Sequence, residues 1–304
     1  MSIHYMSFVR RVGFSGAVVI GMMLVLSLLV TKRFWTAQKE GMVSKKSFTV
    51  FKGKAVYDDF YASVYDNLFY SKVKNRFEIG EIVNSSGPTT KAVILDIGSG
   101  TGHHVAGLQG AGYDVRGIDC SAAMIAASRM NYPDSNYIHE DATNSLAFDE
   151  NTFTTITCLY FTIYEIENKV RFFESCAKWL KPGGRLIVHV VDLKSFRPTV
   201  PASEKILYLD PQDYTSNRIT DSKVEFDTHS YSAKYKETEQ GGRFTEVWTD
   251  AGGGVRKHEH PVVIIPHREI IQAAQQAGFI VEGKTEMKEC DYIGQYLYTL
   301  VKPN

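Results

Sequence analysis

A glycine-rich turn between a buried strand and a helix constrains the fold of this chain more than any other feature. Residues 91–97 (KAVILDI) are a nearly continuous apolar run, which is typical of a strand covered on both faces. Gly98, Gly100 and Gly102 follow, and their missing side chains let the backbone turn sharply and approach a ligand. The pattern predicts a ligand site at the carboxyl end of the first strand of an open α/β sheet.

An acidic residue at the end of the next predicted strand indicates the ligand class. Asp119 ends the segment YDVRGID, where a carboxylate can accept hydrogen bonds from both hydroxyls of a ribose. Asp96 lies directly before the turn, where its charge would repel a pyrophosphate but could pair with an ammonium. The spacing GxGxG also differs from the dinucleotide fingerprint GxGxxG. We therefore expect an adenosine cofactor with an amino-acid tail rather than NAD.

The rest of the body divides into two kinds of pattern. From about residue 91, apolar strands alternate with helical segments, which predicts a mostly parallel sheet with helices on both faces. Residues 193–265 instead hold alternating segments separated by glycine pairs, which predict antiparallel strands inserted into the α/β body. A helix and two further strands complete the chain.

Five segments in this order resemble the class I S-adenosylmethionine-dependent methyltransferases: LDIGSGTGHH, GIDCSAAMI, HEDATN, TCLYFTIYEI and LKPGGRLIVHV. The resemblance covers roughly residues 57–304. It implies a Rossmann-like, seven-stranded methyltransferase sheet with a reversed final hairpin, and an antiparallel β-layer (about 193–265) over the acceptor site. The implied reaction is methyl transfer from S-adenosyl-L-methionine to a small-molecule or lipid-like acceptor.

The same resemblance implies roles for individual residues. Asp96, Gly98 and Gly100 would shape the pocket for the methionine portion, Asp119 would hold the ribose, and Tyr65 would close the cap helix over the cofactor. Plain core packing of a helix also explains Tyr65 with its neighbours Tyr57 and Tyr61, and Asp141 could be a surface cap. The predicted cofactor residues are Tyr65, Asp96, Gly98, Ser99, Gly100, Asp119, Cys120, Met124, Asp141, Ala142 and Cys158.

The sequence leaves the catalytic group open. Tyr164 and His189 are candidates from the ends of the fourth and fifth strands, together with Tyr160, Glu165 and Asp192. His189 lies inside a buried strand pattern, which is more typical of a hydrogen-bonded core histidine than of a base. No Asn-Pro-Pro-Tyr clamp is present, and the pattern His258-x-His260 has no third ligand at a metal-site spacing, so no metal is expected.

The N-terminal residues predict a membrane anchor. Val12–Val30 carries no charge and is long enough to cross a bilayer as a helix, with basic residues at both ends. A cleaved signal peptide would have a shorter apolar core. The excess of Lys and Arg after the run places the body on the cytoplasmic side. We therefore divide the chain into an anchor (1–34), a basic linker (35–55) and a methyltransferase domain (56–304).

Composition excludes some classes and leaves others open. The 34 basic residues balance the 34 acidic ones, which argues against a globally basic nucleic-acid binder. The four cysteines form no CxxC pair, so neither a disulfide scaffold nor a zinc ribbon is expected. The alternatives to a methyltransferase are a non-catalytic, nucleoside-binding scaffold and, disfavoured by the glycine spacing, an NAD-dependent oxidoreductase.

Overall fold

The computed structural model describes residues 47–87, 90–199, 211–238, 241–259 and 264–304. All elements below belong to one compact unit, Phe48–Ala251 with Val255–Asn304. None of the helices within these ranges combines the length and the apolar character that a membrane span requires. The predicted anchor, Val12–Val30, lies outside the described residues, as do most of the linker and His260.

The strands form two sheets. Their bounds are β1 Phe48–Lys52, β2 Val93–Ile97, β3 Asp114–Asp119, β4 Asn136–His139, β5 Phe153–Cys158, β6 Leu180–Val191, β7 Asp221–Glu225, β8 His229–Thr238, β9 Gly241–Asp250, β10 Val255–Glu259, β11 Ile280–Glu286 and β12 Gln295–Val301. The first sheet has seven strands in the order β11-β12-β6-β5-β2-β3-β4. Its strands are parallel except for β12 and β11, which run antiparallel to their neighbours. The predicted seven-stranded sheet with a reversed final hairpin is confirmed.

Helices cover both faces of this sheet. They are α1 Asp59–Phe69, α2 Lys72–Ser86, α3 His103–Gly110, α4 Ala122–Asn131, α5 Thr162–Glu165, α6 Lys169–Trp179 and α7 His267–Gln276, with 3-10 turns at Gly53–Val56, Pro211–Tyr214 and Met287–Cys290.

The apolar strand at the head of the glycine turn is buried from both sides. In β2, Leu95 packs in a cluster with Phe172 and Ile270 of α6 and α7, whereas Ile94 packs with Ile82 and Leu108 of α2 and α3. Because successive side chains of a strand point to opposite faces, both faces need apolar residues. This explains the continuous run in the sequence.

The second sheet is the predicted antiparallel layer. It has five strands in the order β1-β10-β9-β8-β7. Only the pairing of β1 with β10 is parallel. Its edge strand Phe48–Lys52 comes from the segment that the sequence analysis assigns to the linker. The layer packs on the body through Tyr235 and Phe244, which lie in one cluster with Phe196 and with residues of β5 and β6.

Candidate active site

A cavity of about 1030 Å³ lies at the carboxyl ends of β2 and β3. It is at the upper end of the usual range for small-molecule sites. The glycine turn and Asp119 form part of its wall, α1 contributes Tyr61, Tyr65 and Phe69, and the second sheet contributes residues of β8 and β9. In an open α/β sheet this edge is where ligands bind.

The glycine turn has the left-handed backbone that its residues permit. Gly98, Gly100 and Gly102 have φ angles of +71°, +52° and +95°. A Cβ on Gly98 would lie 2.5 Å from Oγ1 of Thr162, and one on Gly102 would lie 2.5 Å from the hydroxyl oxygen of Tyr137. A Cβ on Gly100 would have no heavy atom within 4 Å. Gly100 therefore faces open space, where a ligand can approach the backbone.

Asp119 is held in place by the same turn. Its Oδ2 accepts from the backbone N–H of Gly100 at 3.0 Å, and its Oδ1 accepts from that of Ser121 at 2.8 Å. A carboxylate has about four lone-pair positions, so two remain for the two hydroxyls of a ribose. Burial raises the pKa of Asp119 above its usual value, and the two backbone hydrogen bonds oppose this rise. The geometry fits the ribose of an adenosine cofactor.

The helix α1 is tied down over this wall. The side chain of Ser121 donates to the backbone carbonyl of Tyr57 at 2.6 Å, and Thr101 donates to Oδ1 of Asp66 at 2.6 Å. These two bonds join both ends of the α1 segment to the residues that follow β3 and β2. Tyr65, next to Asp66, thereby lines the cavity, as predicted for the cap helix.

The structure brings most of the predicted cofactor residues to the cavity wall. Those that line it are Tyr65, Gly98, Gly100, Asp119, Cys120, Met124, Asp141 and Ala142. The remaining predicted residues, Asp96, Ser99 and Cys158, are buried behind this wall.

Asp96 supports the turn from below instead of lining the pocket. It is 2% exposed, and its Oδ1 accepts from the hydroxyl of Thr157 on the neighbouring strand β5 at 2.6 Å. Burial raises its pKa above the usual value. Cys158 is fully buried one residue further along β5, so its side chain is a core group. The Asp96 side chain, predicted to shape the pocket for the methionine portion, does not line the cavity, and neither does that of Cys158.

Asp141 is already engaged by a basic side chain. Its Oδ1 accepts from the backbone and the hydroxyl of Thr143 at 2.9 and 2.7 Å, and its Oδ2 accepts from Nζ of Lys54 at 2.5 Å. Burial alone would raise the pKa of Asp141, but these bonds outweigh it and lower the pKa to about 2. An ion pair therefore borders the end of the cavity that the sequence assigns to the adenine.

The other end of the cavity is aromatic and acidic. We call it the acceptor chamber and define it by Tyr160, Phe161, Glu165, Tyr231, Phe244 and Glu246, all of which line the cavity. Glu246 is 3% exposed, and its Oε1 accepts from the hydroxyl of Tyr231 at 2.7 Å. Tyr57 donates to Oε1 of Glu165.

Among the candidates for the catalytic group, Tyr160 and Glu165 line the cavity, whereas Tyr164, His189 and Asp192 do not. His189 is fully buried between the carbonyl of Tyr160, 2.5 Å from Nδ1, and the side chain of Gln295, 2.9 Å from Nε2. Burial lowers the pKa of His189 to about 4. The hydroxyl of Tyr164 accepts from the backbone N–H of Val191 at 2.8 Å. Both side chains hold the strand ends together, and the core-histidine interpretation of His189 fits its position.

The sequence analysis missed Glu246, although a signal was available. In β9 the alternation Phe244-x-Glu246-x-Trp248 places all three side chains on one face. The two large aromatic residues indicate that this face is buried. A carboxylate is costly to bury, so its presence on this face indicates a binding or structural role for Glu246. Lys54 carried no such signal, because its neighbours resemble a basic linker.

Comparisons with known proteins agree with this geometry. A family model described as "Methyltransferase domain" matches residues 95–188. The chain is 29% identical over 117 residues to a demethylmenaquinone methyltransferase of Renibacterium salmoninarum. The matched segment covers 38% of this chain and 48% of that protein. The chain thus spans about half the length of the curated relative it matches.

Solved structures share the fold over most of the chain. The CcbJ methyltransferase from Streptomyces caelestis superposes with a TM-score of 0.62 at 17% identity, covering 83% of this chain and 99% of that one. An S-adenosylmethionine-dependent methyltransferase from Clostridium acetobutylicum gives a TM-score of 0.61 at 15% identity, covering 81% and 99%. Residues 95–188 therefore match a methyltransferase domain, and the chain has the fold of these S-adenosylmethionine-dependent methyltransferases.

Proposed function

We propose that this protein transfers a methyl group from S-adenosylmethionine to a small-molecule acceptor. The observation that carries the proposal is the wall formed by Gly100 and Asp119, whose open side faces a cavity with room for a cofactor and a second molecule. A scaffold protein would have no need of the second compartment, the acceptor chamber.

The cofactor, when bound, supplies a methyl sulfonium that is already a strong electrophile. The protein's own residues then need to bind, to orient the acceptor and to exclude water. Holding two reactants in line contributes roughly 7–11 kcal/mol. We assign the ribose to Asp119, the approach of the backbone to Gly98 and Gly100, and the cover over the reacting atoms to Tyr65 and Phe69, which both line the cavity.

The lining of the acceptor chamber supports a small or lipid-like acceptor. Its aromatic rings suit apolar or planar groups, and its carboxylates can accept a proton. The relative from Renibacterium salmoninarum is named for demethylmenaquinone. We use that name only to support an acceptor of this general class.

We further propose that the protein is anchored in a membrane by Val12–Val30, with the domain on the cytoplasmic side. The uncharged run and the basic residues around it support this. The full chain should stay with carbonate-washed membranes, whereas a chain beginning at residue 47 should be released. Recovery of the full chain in the carbonate supernatant would contradict the anchor. Protease digestion of sealed vesicles tests the orientation.

The proposed reaction is tested by binding and by transfer. Calorimetry on the full chain in detergent should show binding of S-adenosylmethionine and S-adenosylhomocysteine and none of NAD. Incubation with cofactor labelled in its methyl group and a cell extract should then label a small molecule. Binding without any transfer would favour the scaffold hypothesis, and binding of NAD alone would favour an oxidoreductase.

A further inference from the structure

The acceptor chamber contains a buried carboxylate. Glu246 is 3% exposed, accepts from Tyr231, and has Nδ1 of His258 at 3.6 Å from its Oε2. Burying a carboxylate is costly unless hydrogen bonds or an opposite charge stabilise it. Since Glu246 also lines the cavity, its carboxylate is one of the groups that a bound acceptor would meet.

His258 faces Glu246 as a neutral ring. Arg256 donates from Nε to Nε2 of His258 at 2.5 Å, so Nε2 holds a lone pair and the ring hydrogen is on Nδ1. The Arg256 guanidinium is itself paired with Asp58, NH2 to Oδ2, at 2.8 Å. The separation of 3.6 Å between Nδ1 and Oε2 is longer than a hydrogen bond, and a neutral ring adds no positive charge beside Glu246.

A second carboxylate enters the chamber from helix α5. Glu165 ends α5 and accepts from Tyr57, while Glu246 lies on β9 of the second sheet. The charge of Glu246 also acts on Tyr160: burial first, and then Glu246, raise the pKa of that phenol above its usual value. Glu246 therefore acts on the phenol of Tyr160, and Glu165 lines the same cavity.

Aromatic rings form the walls around these carboxylates. Tyr160 and Phe161 have ring centroids 4.6 Å apart, and Phe161 and Phe244 are 5.6 Å apart. The series continues towards the cofactor side through Phe69, 6.2 Å from Tyr160. A cation within about 6 Å of such rings is attracted by their electron-rich faces.

The basic residues of the described lining lie elsewhere. Lys54 pairs with Asp141, and Arg197 pairs with Asp213 at 2.8 Å. Lys72 and Arg171 have exposed positions at the start of α2 and of α6. The Lys74 ammonium lies 4.9 Å from the centroid of the Tyr160 ring, and it is paired with Glu78. The side chains that define the acceptor chamber are aromatic and acidic, with Lys74 against the ring of Tyr160.

We propose that the acceptor chamber binds a molecule with a basic amine, and that the methyl group is transferred to the nitrogen of that amine. The inference rests on the proposed methyl transfer and narrows its acceptor class. Carboxylates and aromatic faces in one space stabilise an ammonium group, and they do so much less for a neutral hydroxyl.

The transfer to nitrogen balances without a further reactant. The bound ammonium gives one proton to a chamber carboxylate, which frees the lone pair on nitrogen. The nitrogen forms a bond to the methyl carbon as the carbon–sulfur bond breaks, and that electron pair stays on sulfur, which leaves a thioether. The methylated nitrogen then carries the positive charge.

Binding of a matched pair of probes tests this. Choline and 3,3-dimethylbutan-1-ol have the same shape, but only choline is a cation. Calorimetry on the full chain in detergent, saturated with S-adenosylhomocysteine, should show choline binding at least tenfold more tightly. Equal affinities, or no binding of choline to the S-adenosylhomocysteine complex, would overturn the inference while the proposed function stands. Failure of S-adenosylhomocysteine itself to bind would overturn both.

Two variants connect the probe to the chamber. Glu246→Gln should lower choline affinity at least tenfold and leave S-adenosylhomocysteine affinity unchanged. Glu225→Gln, an exposed glutamate on β7 of the same sheet, should change neither. If Glu246→Gln does not fold, choline affinity is compared between the parent and Glu165→Gln, whose side chain enters the chamber from α5. Choline affinity that is unchanged in the folded variant would contradict the role of that carboxylate.

The transferred methyl group gives an independent readout. With cofactor carrying a ¹³C methyl group and a cell extract, the labelled product should be retained by a cation exchanger and show an N-methyl resonance. An O-methyl resonance in the main product would overturn transfer to nitrogen.

Discussion

A single hydrogen bond joins the two residues on which nucleoside binding depends. The backbone N–H of Gly100 donates to Oδ2 of Asp119, so the position of the carboxylate and the shape of the turn are set together. One residue removes side-chain atoms from the ligand's path, and the other supplies acceptors for its hydroxyls. Because the two roles differ, a substitution at Gly100 and a substitution at Asp119 test different contacts with the ligand.

Replacing Asp119 by Asn should weaken nucleoside binding. The amide has the same shape but no charge, and a hydrogen bond to a charged group contributes about 1.5–3 kcal/mol. We expect S-adenosylhomocysteine affinity to fall about 10- to 150-fold by calorimetry. Asp114→Asn, at the exposed start of the same strand, is the control and should bind normally. Affinity retained by Asp119→Asn would refute the assignment of the ribose.

Replacing Gly100 by Ala should block the cofactor rather than merely destabilise the fold. At φ +52° an added Cβ costs about 1–2 kcal/mol and projects into open space. Gly278 is the matched control, since it has φ +91° and equally open surroundings at the end of α7. Both alanine variants should lose similar stability in urea, and only Gly100→Ala should lose S-adenosylhomocysteine binding. Equal binding by the two variants would contradict a ligand at Gly100.

At the scale of elements, a buried ionic cluster joins α2 to α3. Lys74 pairs with Glu78 within α2, and His104 of α3 lies 2.8 Å from Oε2 of Glu78. Burial would raise the pKa of Glu78, but Lys74 and His104 outweigh it and lower the pKa to about 2. A folded-state pKa below the usual value means that this carboxylate stabilises the fold above about pH 4.5 and stops doing so as the pH falls towards 2.

Glu78→Gln should therefore destabilise the protein in a pH-dependent way. The variant leaves Lys74 as a buried charge without its carboxylate, which costs about 3–5 kcal/mol. In urea unfolding, the difference from the parent should be large at pH 7 and shrink as the pH drops below 4. Glu174→Gln, exposed on α6, should match the parent throughout. A difference that does not depend on pH would contradict the role of the charge.

Elements with a strong local signal were predictable from the sequence. The strand before Gly98, the cap at Ser121 and the antiparallel strands from Asp221 to Glu259 are found in the structure. Each depends on apolar periodicity or turn chemistry within a few residues. β1 carries no such signal: its sequence, FTVFK, is short, and its pairing with β10 joins segments about 200 residues apart along the chain.

For the candidate active site, too, only residues with a local sequence signal could be predicted. Residues next to the glycine turn, such as Asp119, were predictable because the turn fixes their place. The pairing of Lys54 with Asp141 and the contact of Asp96 with Thr157 depend on how distant segments pack, so periodicity could not reveal them. His189 was ambiguous for the same reason, since only its partners on other segments show that it is a core residue.

At the scale of the whole molecule, the two sheets share one apolar cluster. Phe196, Tyr235 and Phe244 pack in it with Phe161 and residues of β5 and β6. The part of the acceptor chamber wall formed by Phe161 and Phe244 thereby belongs to the main core, whereas Tyr231 packs in a second cluster with Trp248 and residues of α1.

We therefore expect the two sheets to unfold together. In hydrogen-exchange mass spectrometry across a urea series, peptides from β5 and β6 should lose protection at the same midpoint as peptides from β8 and β9. Common burial in one cluster makes separate opening of either sheet costly. Earlier loss of protection in β8 and β9 would contradict this and indicate an independently opening layer.

The edge position of β1 has a practical consequence for any shortened form of the protein. A chain that starts at residue 56, where the resemblance places the domain boundary, would lack β1 and Lys54. The backbone N–H and C=O groups of Val255–Glu259 that now face β1 would then be left as an unpaired edge, the kind of surface through which proteins aggregate. Poor solubility of such a fragment would reflect the missing strand and would say nothing about the intrinsic stability of the methyltransferase fold.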